Sequence, residues 1–198
     1  MAQRPGAEGA GSEGMSERAV LLTVGHGTLA ADELTRVLRG AGVELLVDVR
    51  SHPGSRRHPQ FGRDAMAAWL PDEGGIAYEW EPGLGGRRRT SPASRNTALT
   101  HPAFRGYADY MATPEFAAAL DRLMTEKDGR RTTVMCAESV WWRCHRRLLA
   151  DAVVLLRDTP VVHLFHDGRL QPHRPTPEAR VEDGIVVYDA GEARLPGV

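Results

Sequence analysis

Lysine is nearly absent from this chain: of 25 basic residues, 24 are arginine and one, Lys127, is lysine. The bias fits a GC-rich genome and is by itself no sign of function. Cysteine is scarce as well. Cys136 and Cys144, eight positions apart, make neither a disulfide framework nor a CxxC metal knuckle. No apolar run approaches the roughly 18 residues of a membrane span. The first 18 residues, rich in Gly, Glu and Ser, lack the apolar centre of a signal peptide. These absences give the expectation of a cytoplasmic protein with reduced thiols and no membrane partner. The formal net charge of -1 excludes coating of nucleic acid by bulk charge, so any anion binding must be local.

What is present suits one soluble domain: 198 residues, 41% apolar and 26% charged, are enough to bury a core without staples. Residues 1–18 offer too little apolar surface to offset ordering and are expected to be a disordered extension. From Ala19 onward, short apolar runs alternate with helical periods. Strands are expected at Val20–Val24, Glu44–Val49, Ile76–Trp80, Thr132–Met135 and Val161–Phe165. Helices are expected after Thr28, from about Arg63 to Leu70, around Phe104–Met111, from Pro114 to about Glu126, and up to Arg157. Thr28 is the expected cap of the first, while Thr113-Pro114-Glu115 puts a cap before proline and an acid in the first turn. Residues 87–103 read as a mobile basic loop. This order predicts an α/β fold of three layers, a mainly parallel sheet of about five strands with helices on both faces, over residues 19–167. Residues 168–198 form a C-terminal extension in which Ile185–Tyr188 is a candidate edge strand.

Strands of a parallel sheet end on one rim, and here they carry Gly25-His26, Asp48-Val49-Arg50, Leu84-Gly85-Gly86 and Cys136-Ala137-Glu138. The tract Val134–Arg147 adds Trp141, Trp142, Arg143, Cys144, His145, Arg146 and Arg147. From Arg50 to Arg105 nine arginines face five acids, which suits either an anion-facing surface or ordinary solvated arginine.

These motifs, with Ser51, Pro53, Ser55-Arg56 and Pro59-Gln60-Phe61, resemble the bacterial and archaeal family called domain of unknown function 488 over about residues 20–166. The family's first motif often reads Gly-His-Ser where this chain has Gly27. The resemblance implies no biochemical role, since none is established for the family. Cys136 followed seven residues on by Arg143 is also similar to the Cys-loop-Arg layout of rhodaneses and cysteine phosphatases, although their loops are shorter and Gly-rich. Asp48-Val49-Arg50 is similar to the Asp-Val-Arg strand of rhodaneses.

The leading expectation is an enzyme acting on a phosphate-bearing nucleotide or nucleic-acid substrate, a Cys-dependent transferase or hydrolase. Cys136 is its nucleophile or redox thiol, His145 and His26 handle protons, and Glu138 orients one of them. Arg50, Ser55, Arg56, Arg57, Arg87, Arg146 and Trp142 are the substrate-binding candidates. The plainer readings stand beside these: Cys136 as a small buried hydrophobe, Glu138 and Asp48 as internal ion-pair partners, and one Trp packed on the core. Two alternatives remain open, a non-catalytic module binding nucleotide or single-stranded nucleic acid, and a metal-dependent hydrolase. No cofactor is predicted. A mixed metal site can be drawn from Cys136, Cys144, His145 and His26, but the spacing matches no common zinc signature.

Overall fold

The computed structural model describes residues 20–54 and 56–189. The sequence's apolar runs become five parallel strands: Leu21–Gly25 (β1), Leu45–Asp48 (β2), Ala77–Trp80 (β3), Thr132–Cys136 (β4) and Val161–Leu164 (β5). They lie in the order β3-β2-β4-β1-β5. β1 and β2 are buried at every position and β4 at all but its last, because helices cover both faces of the sheet. Ala31–Gly40 (α1) and Arg63–Gly74 (α2) cover one face, where Leu34, Leu38, Met66 and Leu70 pack on Leu22, Val24, Leu46 and Met135. Pro102–Met111 (α3), Pro114–Glu126 (α4) and Arg146–Arg157 (α5) cover the other, with Tyr107, Phe116, Leu148 and Leu149 against Leu21, Val47 and Val134. The three-layer α/β fold expected from the alternation of elements is the fold observed.

Local chemistry explains most boundaries. Thr113 Oγ1 accepts from the Phe116 N–H at 3.3 Å, with Pro114 opening α4. α4 ends beside Lys127, which is buried. Thr28 does not cap α1. The helix starts at Ala31, and the Glu33 carboxylate accepts from the Ala30 N–H at 2.7 Å instead. α2 runs past Pro71 to Gly74 and is closed by Gly75 in the left-handed region, whose N–H bonds the Pro71 carbonyl. Residues 87–101 have no helix or strand, yet the loop is pinned. The Asp109 carboxylate accepts from Ser91 N, Ser94 Oγ and Asn96 Nδ2, and Asn96 Oδ1 accepts from Tyr188 N.

The C-terminal segment departs furthest from expectation. Leu170–Pro172 (β6) extends the sheet antiparallel to β5, so the sheet has six strands. Ile185–Tyr188 (β8) does not join it, pairing instead with Ala179–Glu182 (β7) in a separate hairpin that buries Val186 and Tyr188 against the α5 face. The expected extension 1–18, Ser55 and residues 190–198 lie outside the described residues. Among the described residues no helix is long and apolar enough to cross a membrane.

A buried polar chain ties this segment down. Asp151 of α5 accepts from Thr176 N at 2.9 Å, Thr176 Oγ1 at 2.7 Å and Tyr188 OH at 2.9 Å, and lies 2.8 Å from His173 Nε2. His173 Nδ1 is 3.0 Å from His163 Nε2, whose ring continues to Thr23 Oγ1 at 2.8 Å and stacks on Trp141 at 4.0 Å. Burial, then His173 and Arg146, lowers the pKa of His163 to about 3. Its unfolded value is about 6.5, so between those limits the unfolded chain holds a proton that the fold excludes, and stability falls with pH. At pH 5 the His163 contribution is a loss of about 2 kcal/mol relative to pH 7.5. Urea midpoints followed at both pH values should show this drop, and His163→Asn should reduce it. Equal pH dependence in the two proteins would remove His163 from the account.

Candidate functional site at the ends of β1, β2 and β4

The chain leaving β1 enters α1 on one face, and the chain leaving adjacent β4 runs into α5 on the other. This divergence opens a crevice at the strand ends, the place where open α/β sheets bind ligands. The backbone ladder continues past the strands, with His26 N–H to Cys136 O and Gly27 N–H to Ala137 O, each 3.0 Å. The loop after β4 then folds over the end of β1. A Cβ at Gly25 would lie 1.9 Å from the Glu138 carbonyl oxygen, so only glycine lets the loop cross there. Arg146, buried in the first turn of α5, donates to the Glu138 carbonyl and holds that crossing.

The returning loop brings Cys144 and His145 beside Cys136. His145 Nδ1 lies 3.8 Å from Cys136 Sγ and 3.7 Å from Cys144 Sγ, and Arg146 Nε donates to Cys144 Sγ at 3.5 Å. The hydrogen bond from the Cys136 thiol, then His145 and Arg146, holds the Cys144 thiol well below its ordinary range despite burial. The same bond and burial push the Cys136 thiol up. The two sulfurs therefore titrate as an interacting pair, with Cys144 the readier of the two to lose its proton. His145 is packed edge-on against Tyr107 at 5.0 Å, and its Nε2 is buried without a hydrogen-bond partner among the described residues. A Cβ at Gly86 would stand 2.9 Å from His145 Nδ1, which explains glycine there.

The three side chains line a cleft of about 550 Å³, whose walls include Ser51, His52, Phe104, Glu138, Arg87 and Arg143. Arg87 and Arg143 are both exposed, and neither guanidinium has a hydrogen-bond or ion-pair partner among the described residues. A sulfur pair beside an imidazole can act as a nucleophile or as a metal ligand set. Two unpaired guanidinium groups on the wall can hold an anion.

The other expected site residues are placed differently. His26 is buried and stacked on Phe61 at 4.2 Å, with Nδ1 2.9 Å from the Gly27 carbonyl and Nε2 3.2 Å from Arg50 Nη1. Burial, then Arg50, lowers its pKa to about 4, so it is neutral near pH 7. It does not belong to the Cys136–Cys144–His145 group. Arg50 is committed internally. It forks onto Asp48 at 2.8 and 2.5 Å and donates to the Phe61 carbonyl at 2.8 Å. Arg146 likewise spends its donors on carbonyls and on Cys144. The pairing of Asp48 with an arginine is the plainer reading given for that acid. Glu138 is exposed on the cleft wall, its carboxylate 3.5 Å from Val140 N and not on a histidine. Arg56 and Arg57 are exposed away from the cleft lining. Trp141 stacks on the buried His163 ring, whereas Trp142 is 47% exposed and meets Trp141 edge-on, outside the cleft lining. Arg143, Ser51, His52 and Phe104 were not among the sequence candidates, although Arg143 had a signal in its distance from Cys136 and Ser51 in the family motif.

The family model described as Domain of unknown function DUF488 matches residues 30–153. The chain belongs to the DUF488 family. No curated protein and no solved structure matches it. The DUF488 match runs from just before α1 into α5 and so contains Cys136, Cys144, His145, Arg87 and Arg143. β1 with Gly25 and His26, and everything from β5 onward, lie outside the DUF488 match.

Proposed function

We propose that this chain is an enzyme acting on a phosphate-bearing substrate, a nucleotide or a nucleic-acid end, at the Cys136–Cys144–His145 centre. The observation that carries the reading is the convergence of two sulfurs and an imidazole in a cleft whose wall holds two unpaired guanidinium groups. Arg87 and Arg143 would neutralise the phosphate oxygens, and the sulfurs and imidazole would carry the chemistry. Both cysteines are free thiols, the state kept in cytoplasm, which is the compartment we propose.

The test is turnover of a panel of phosphate monoesters, nucleotides and phosphate-ended oligonucleotides by the full chain. Cys136→Ser, Cys144→Ser and His145→Ala should each lower kcat by at least about 100-fold. Arg87→Ala and Arg143→Ala should act mainly on KM, and added salt should raise KM in the wild type. Turnover that survives all three centre substitutions would sink the reading.

A further inference from the structure

His145 Nδ1 stands nearly equidistant from Cys136 Sγ and Cys144 Sγ, at 3.8 and 3.7 Å, and the three atoms all lie within 4.8 Å of one another. Hydrogen bonding alone uses this arrangement poorly. A ring nitrogen carries either one proton or one lone pair, so Nδ1 can bond only one sulfur at a time. A single cation placed among the three atoms would engage all of them. Zinc binds sulfur at about 2.3 Å and imidazole nitrogen at about 2.0–2.1 Å, so tetrahedral sulfur and nitrogen ligands stand about 3.6 Å apart. Both observed edges lie close to that value.

We propose that Cys136, Cys144 and His145 are three ligands of a zinc ion whose fourth position opens to the cleft. The inference rests on the phosphate reading for its use and on the geometry alone for its existence. Two thiolates and an imidazole form a borderline-soft set that suits zinc, whereas magnesium and calcium take oxygen ligands. Arg146 Nε, 3.5 Å from Cys144 Sγ, is the outer-shell donor to one thiolate. The Gly86 backbone and the Tyr107 ring fix the imidazole plane by packing, since Nε2 meets no acceptor among the described residues. All three ligands line the cleft that carries Arg87 and Arg143. Three protein ligands with one position open to substrate is the layout of catalytic zinc, whereas structural zinc is closed by four. The sulfurs would then serve as ligands, each binding as the thiolate, and the ion would supply Lewis-acid chemistry to a phosphate ester at its open position. His26 takes no part, both its nitrogens being engaged elsewhere.

The experiment is titration of the reduced, chelator-stripped full chain with cobalt(II), followed by zinc(II). One equivalent of cobalt should give near-ultraviolet thiolate charge transfer and the strong visible absorption of a four-coordinate ion, and zinc should displace it. Cys136→Ser and Cys144→Ser should each weaken zinc binding by at least about 100-fold, since even outer-shell changes cost 10–100-fold. Arg143→Ala should keep the full spectrum. A wild-type chain that is folded by circular dichroism yet gives no charge-transfer band overturns the site, as does a band that survives both serine variants. Stoichiometric metal without phosphate turnover upholds the site and sinks the substrate reading. Turnover that persists in the stripped chain does the reverse.

Discussion

Asp151→Ala is expected to destabilise the fold by about 3–5 kcal/mol. The Asp151 side chain is fully buried and is met by three donors and the His173 ring. Removing it leaves those groups unsatisfied in an interior where water does not enter, and each orphaned group costs roughly 1–3 kcal/mol. The loss is a large share of the about 5–15 kcal/mol that holds a domain together. It should also be local in character, because Thr176 and Tyr188 bring the segment after β6 onto α5. Limited proteolysis should cut the variant first between Asp167 and Glu182 while β1–β5 stay protected. Asp151→Asn should fall between, since one amide oxygen can still accept but its NH2 faces donors. A urea midpoint change worth under about 1 kcal/mol would mean that the segment is held by apolar packing alone.

Asp48→Ala should cost a similar amount, about 3–5 kcal/mol, for a different reason. Asp48 is completely buried and takes both arms of Arg50 together with Tyr78 OH at 2.8 Å. Alanine leaves the Arg50 guanidinium buried without a charged partner, beside the Phe61 carbonyl, Met66 and neutral His26. The damage should reach the cleft, because the Arg50 carbonyl accepts from Trp80 Nε1 and the next residue, Ser51, bonds the Gly86 carbonyl under His145. Accordingly, thiol alkylation at Cys136 should rise as stability falls. The pair Asp48→Leu with Arg50→Met separates charge from packing: matched apolar side chains should recover most of the lost stability. If the double variant is as unstable as Asp48→Ala, the single substitution acts through its cavity and not through a stranded charge.

The parallel sheet was legible because both its faces are covered, which writes each central strand as an unbroken apolar run such as Leu21–Val24 or Leu45–Val47. α4 was legible from Thr113-Pro114-Glu115, a signal whose physics is local. The segment after Asp167 was not. Its order comes from Asp151, Asn96 and Trp141, residues far away in sequence, and a polar stretch with no period gives no hint of such partners. Arginine was the other obstacle. Arg50 and Arg146 turn inward while Arg87 and Arg143 stay outside, and nothing in the residue type distinguishes them. The decision lies with an acid two positions away in one case and with loop carbonyls in the other. The Cys136–Cys144–His145 group was visible because a single tract carries all three. Their closeness needed the loop to double back over Gly25, which the sequence marks only as one glycine among many.

Lys127, the one lysine, is buried at the end of α4, so among the described residues the lasting positive charge at the surface is carried by arginine. A guanidinium holds its proton at any pH a cell reaches. The surface cations of this protein form a constant background, and pH acts on it only through its anions and histidines.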